Sequence, residues 1–232
     1  MYNWDNFWKS HRISKAEAWL MKDRAKTLDR CLDSMPAGEK LVLEVGCGFA
    51  NNLKILQETR KDVKCYGLDN SEEALKRVRP FLQNAVFGDC EHSPFEDKKF
   101  DLIYSAGLME HFKDETAFLK EMRRILKDDG VMITWIPGSY TLWRLHQLLF
   151  FCLLGHGYEK AYTHGRLMSL FEKNGYEVSG YSGTDPFSVQ GAAMKLLNIS
   201  FDPPIKRIPF KSAYTELCVM VRKKKDQIFS SR

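Results

Sequence analysis

The stretch LEVGCGFANNL, residues 43–53, runs a strand-like apolar pattern into Gly46 and Gly48 and then into a helix-like pattern. Glycines at a strand-to-helix turn let backbone N–H groups approach a ligand closely, and such turns hold nucleotide-like groups. Three acids accompany it. Glu44 interrupts the apolar run two residues before Gly46, Asp69 closes the next apolar run 25 positions later, and Asp89 closes the one after. A carboxylate at 69 can accept hydrogen bonds from both ribose hydroxyls, and one at 89 from an adenine amine. A pyrophosphate-binding turn reads G-x-G-x-x-G/A, which requires Gly or Ala at position 51; Asn51 stands there, and Ala50 comes one position early. The glutamate and the third acid also fall outside the dinucleotide fingerprint. Plain structural roles compete with each ligand role: a buried ion pair for Glu44, a helix cap for Asp69 and a turn for Asp89.

The elements that must position these residues alternate. Segments 41–45, 63–69, 85–89, 100–105 and 130–136 read as strands, most of them nearly continuously apolar, as parallel strands buried on both faces should be. Helical patterns lie between them. In DETAFLKEMRRILKDDG, Phe118, Leu119, Met122, Ile125 and Leu126 share a face, Asp114 can cap the start and Gly130 marks the end. NSEEALKRVRP has Asn70 or Ser71 as its cap and stops near Pro80. After Pro137 the alternation is interrupted by SYTLWRLHQLLFFCLLG, apolar on almost every face, before a helix, a turn at Gly175 and two further strands. Residues 1–40 form an aromatic-rich helical flap with Trp4, Phe7, Trp8 and Trp19. Strand–helix alternation implies right-handed crossovers and a doubly wound, mostly parallel sheet.

The order of these motifs resembles the class I S-adenosylmethionine-dependent methyltransferases, in particular their small-molecule, type 11-like branch. LEVGCGFA matches the first motif of that group and YGLDNSEEAL the second. VFGDCEHSPFEDKKFDLIYSAGLMEHF covers the third and fourth, and LKEMRRILKDDGVMITWIP the next, so the likeness spans roughly 40–137. It implies an α/β fold with a seven-stranded Rossmann-like sheet. The domain would span 41–232, with a helical lid after the fifth strand at about 138–164. The resemblance further implies that Gly46, Cys47 and Gly48 pass under the methionine part of S-adenosylmethionine, with Glu44 near its amino end. It places Asp69 on the ribose, Asn70 along the adenine, Asp89 and Cys90 at the adenine edge, and the backbone of Ser105 and Ala106 at the methionine moiety. Ala50 departs from the pattern, which often has glycine there; the first two glycines make the closest approach.

A sulfonium methyl is already activated, so transfer needs a nucleophile held in line and kept dry; a hydroxyl or acidic carbon can also use a base. His111, just after the fourth strand, is the best-placed titratable residue and the candidate base. Trp8, Tyr140, Trp143, His156 and His164, from the flap and the insertion, are the candidate substrate residues. The apolar insertion suits a lid over an apolar or aromatic substrate, a dimer surface, or contact with a membrane. No Cys/His set has metal-ligand spacing, so no metal is expected. DPPI at 202–205 lies far from the fourth strand, lacks the aromatic of amine-methylating DNA enzymes, and reads as a turn.

Composition bounds the rest. A chain of 232 residues, 44% hydrophobic and 28% charged, suits one well-buried domain. No charged segment leads into an apolar core at the start, and no apolar run is long enough for a bilayer, so a soluble protein is expected. Six scattered cysteines without a C-x-x-C pair suit a reducing cytoplasm. Of the net charge of +5, the tail from Ile205 carries eight basic against two acidic residues, +6, leaving the remainder near neutral. That distribution argues against a broad nucleic-acid surface. The leading reading is therefore methylation of a small apolar or aromatic molecule, with S-adenosylhomocysteine as the product. An RNA or protein methyltransferase, or a catalytically silent binding subunit, are the alternatives.

Overall fold

The computed structural model describes residues 4–13, 15–137, 160, 162–184 and 216–224. Two N-terminal helices, α1 (Trp4–Ser10) and α2 (Lys15–Asp33), lead into β1 (Lys40–Val45). There follow α3 (Asn51–Thr59), β2 (Val63–Asp69), α4 (Glu72–Val78), β3 (Ala85–Phe87) and β4 (Phe100–Ala106). A single 3-10 turn (Met109–His111) precedes α5 (Thr116–Ile125) and β5 (Leu126–Pro137). Then come α6 (His164–Lys173), β6 (Tyr176–Thr184) and β7 (Glu216–Lys223). The seven strands run in the order β3-β2-β1-β4-β5-β7-β6, with β7 antiparallel to both neighbours and the other pairs parallel. This is the doubly wound sheet expected from the alternation.

Successive side chains of a strand point to opposite faces, and the core divides accordingly. Leu43, Val45 and Ile103 pack on one side with Phe118, Met122, Leu167 and Phe171 from α5 and α6. Val42 and Leu102 pack on the other with Leu28, Leu53, Leu56, Leu75 and Val78 from α2, α3 and α4. Both faces are covered, so the strands read as continuous apolar runs rather than alternating ones.

Capping follows the expected chemistry. Ser71 accepts a hydrogen bond from the Ala74 N–H at the start of α4, and Asp114 accepts from the N–H and hydroxyl of Thr116 at the start of α5. Two boundaries differ from expectation. The helix read as running to Gly130 ends at Ile125, and Leu126 is the first residue of β5, paired with Phe100. The N–H groups of Lys98 and Lys99 claim the Arg124 and Ile125 carbonyls, drawing the chain into the sheet before the helical pattern is exhausted. The third strand, read as 85–89, stops at Phe87 because its pairing with β2 ends at Asp69. The expected lid lies outside the described residues apart from Lys160 and 162–164.

Candidate active site

Strand order reverses between β1 and β4, and the candidate residues gather at the carboxyl ends of these strands and of β2, where such sheets bind ligands. Gly46 and Gly48 have φ of +65° and +49°, the left-handed region that favours glycine. A Cβ on Gly48 would lie 2.4 Å from the Trp8 indole, and one on Gly46 3.0 Å from Leu108, so the turn presents bare backbone. The N–H groups of Gly46 and Cys47 both donate to the Leu68 carbonyl, at 2.8 and 3.1 Å, tying the turn to β2.

Asp69 joins two ligand-facing segments. Its Oδ2 accepts from the Gly48 N–H at 2.7 Å and its Oδ1 from the Ser71 N–H at 2.9 Å. Burial raises its pKa above the usual carboxylate value against the pull of these N–H donors. Each carboxylate oxygen has a further lone pair, so the group can still take hydroxyls. Asn70, next in the chain, is exposed beside it.

Glu44 faces a different environment. It sits opposite Tyr104 in the β1–β4 register and is 5% exposed. Burial pushes its pKa up to about 8; Tyr104, Arg24 and Asn52 lie close enough to oppose that shift. Yet Glu44 Oε2, Tyr104 Oη and Asn52 Oδ1 are fully buried and make no hydrogen bond of ordinary geometry. Buried polar atoms are nearly always paired, so three such atoms beside a bare glycine turn mark a seat for a polar group brought by a ligand. Arg24 of α2 is held by both carboxylate oxygens of Glu216 at the start of β7 and carries positive charge toward Glu44.

Residues 43–134 match the family profile described as a methyltransferase domain. Over these residues the chain is similar to the class I S-adenosylmethionine-dependent methyltransferases. Tocopherol O-methyltransferase of Arabidopsis thaliana is 32% identical over 106 residues, covering 41% of this chain and 30% of its own length. Demethylmenaquinone methyltransferase of Thermotoga maritima is 31% identical over 114 residues, 48% of each chain. The chain thus spans about half or less of the length of these curated relatives. The solved S-adenosylmethionine-dependent methyltransferase of Mesorhizobium loti shares the fold at a TM-score of 0.62 and 15% identity, over 88% of this chain and all of that one.

The residues of this site fit S-adenosylmethionine. Glu44 Oε2, Tyr104 Oη and Asn52 Oδ1 gather buried oxygens that could accept from an amino group, the glycine turn gives close approach, and Asp69 offers acceptors for hydroxyls. Cys47 is buried beneath the turn, where burial raises its thiol pKa. Ser105 is buried at the end of β4, 3.0 Å from the Thr134 hydroxyl, with Ala106 half-buried after it. Asp89 does not close a strand as expected; it stands two residues beyond β3, exposed, its carboxylate accepting from the Glu91 N–H and lying 3.3 Å from the His92 ring. The short β3 releases the chain into a turn before the acid is reached. Cys90 is half-buried next to it.

The aromatic flap and the catalytic candidate meet at the same rim. His111 ends the 3-10 turn after β4, and the Trp4 ring stands edge-on to it at 4.8 Å. Trp8 packs on Phe49 at 4.6 Å, and the Arg77 guanidinium lies 4.7 Å from the Phe49 ring on its own account. His164 opens α6 and packs on Tyr181 of the edge strand β6, away from the glycine turn. Tyr140, Trp143 and His156 lie outside the described residues. Among the described residues no group of three His, Cys, Asp or Glu side chains could hold a metal. Sequence reading missed Asp5, Arg24, Asn52 and Tyr104. Tyr104 had a signal, a polar tip within the apolar run FDLIYS; Asp5 and Arg24 had none, since nothing local shows what they reach.

Proposed function

We propose that this protein transfers a methyl group from S-adenosylmethionine to a small, apolar or aromatic molecule. The observation that carries the reading is the seat built from Glu44, Tyr104 and Asn52 beside the Gly46–Gly48 turn, with Asp69 next to it. The bound cofactor supplies an electrophilic methyl on a sulfonium. The protein's residues hold and orient: Asp69 takes hydroxyls while fastening the turn to α4, and Glu44 accepts from an amino group. His111 accepts a proton from the attacking group where the substrate is a hydroxyl or carbon acid. Trp4, Phe7, Trp8 and Phe49 wall the rim with rings, and an aromatic wall favours a planar or apolar acceptor and keeps water out. The two relatives named for tocopherol and demethylmenaquinone, both apolar ring compounds, support the same substrate class. A cytoplasmic setting belongs to the proposal and is supported by free, mostly buried thiols at Cys31, Cys47, Cys65, Cys90 and Cys218.

Calorimetry with S-adenosylmethionine, S-adenosylhomocysteine and NAD tests the cofactor. Micromolar binding of the first two, abolished in Asp69→Ala, is expected; tight NAD binding alone would sink the reading. Transfer of labelled methyl into a cell extract then tests the substrate. Label is expected in the lipid or small-molecule fraction, and label confined to RNA or protein would overturn that class.

A further inference from the structure

Helix α1 lies across the carboxyl ends of three neighbouring strands and touches the segment that follows each of them. After β1, Trp8 lies over Gly48 and against Phe49. After β2, the Asp5 carboxylate accepts from the Ser71 hydroxyl and, at 3.2 Å, from the Glu73 N–H, while Arg77 donates to the Lys9 carbonyl. After β4, Trp4 stands against His111. These strands flank the point where the sheet order reverses, so α1 spans the switch point at which such sheets bind ligands.

The hold is nevertheless light. No residue of α1 is buried, and its seven residues are too few to form a stable helix without a surface to lie on. Residues 11–13, which join α1 to α2, have no regular structure and leave Ile13 exposed. Elements with little buried surface belong to the low-stability end of a fold and open without global unfolding. The indole of Trp8, meanwhile, covers the bare backbone that the turn keeps free of side chains.

We propose that α1 is a lid over the cofactor cleft and that Asp5 is its latch, so that cofactor enters and leaves when α1 lifts. The proposal rests on the cofactor reading above. Asp5 then sets residence time: releasing it should speed entry and exit together, whereas a fixed wall would change neither. Asp5 is a positioning residue here, acting through the helix rather than on a reacting atom.

The test uses the full-length protein and two measurements. Hydrogen exchange without ligand should show faster exchange at residues 4–10 in Asp5→Ala, with β1 and β4 unchanged. Stopped-flow with S-adenosylhomocysteine should show both association and dissociation faster by about 3- to 10-fold, the equivalent of one or two lost hydrogen bonds. Asp5→Asn, which keeps one acceptor oxygen, should fall between wild type and Asp5→Ala and guards against a folding defect. Unchanged exchange at 4–10, or faster exchange with unchanged rates, would overturn the lid. Failure of the wild type to bind S-adenosylhomocysteine would overturn the cofactor reading and the gating claim with it; the ligand-free exchange shows which of the two has failed.

Discussion

Ala50 holds φ +50° and ψ +36°, buried at the N-terminus of α3, a conformation that costs an L-residue about 1–2 kcal/mol. Glycine would relieve this strain. It would also give up a buried methyl worth about 0.8 kcal/mol and loosen the unfolded chain by about 0.4–1 kcal/mol. These terms nearly cancel, which is why alanine serves here. Ala50→Gly should therefore shift stability in urea unfolding by less than about 1 kcal/mol. Ala50→Val, β-branched and without room, should lose about 2 kcal/mol or more. Glu44 gives a pH dependence of opposite use for stability and binding. Its folded pKa of about 8 stands above the ordinary 4.5, so the folded state keeps a proton that the unfolded state has released. Its contribution is fully present below pH 4.5 and is lost as pH rises toward 8. Glu44→Gln should flatten that decline in thermal unfolding scans. An amino group arriving at Glu44 favours the carboxylate, so cofactor binding at pH 7 should release a proton, read by calorimetry in buffers of different ionisation heat. The variant should bind more weakly and release none.

At the scale of elements, the 3-10 turn bearing His111 is held from behind. Lys160 donates its N–H to the Glu110 carbonyl at 2.8 Å and its ammonium to Glu115 at 2.7 Å; the Tyr162 hydroxyl donates its one proton to Glu115 and lies 2.9 Å from the Met109 carbonyl. All three side chains are buried, with the ion pair 7% exposed on each side. Burial disfavours a charged Glu115, yet Lys160 and Tyr162 outweigh it and hold its pKa below the usual value. Removing one partner of such a pair strands the other, at a cost of about 3–5 kcal/mol. Lys160→Met should lose about that much in chemical denaturation, and adding Glu115→Gln should return part of it, a coupling the double-mutant cycle isolates. This clasp was invisible in the chain, because 45 residues separate its charged partners. The elements themselves were largely legible. β1, β2 and α4 fall close to where apolar runs and Ser71 put them, while α5 ends early because pairing with β4 overrides helical periodicity at Leu126.

At the scale of the molecule, ligand binding should report on the whole sheet. The candidate seat draws on β1, β2 and β4, so S-adenosylhomocysteine at 100 times its dissociation constant should stabilise the fold by about 2.7 kcal/mol. That rise in Tm should vanish in Asp69→Ala, a result checked by differential scanning fluorimetry with and without ligand. The chain by itself determined the alternation, the sheet class, the glycine turn and the acids at 44 and 69, because each is local: periodicity, backbone freedom and the end of an apolar run are written in adjacent residues. Asp89 shows the limit of that locality, since its place depends on how far β3 pairs with its neighbour. Only the tertiary structure decided that Asp5 and Trp4 reach across to Ser71 and His111. The same holds for Tyr104 and Asn52 gathering around Glu44, and for a carboxylate far down the chain holding Arg24. Those meetings follow from strand order and burial, which bring distant residues to one rim and raise the energy of any polar group left there without a partner.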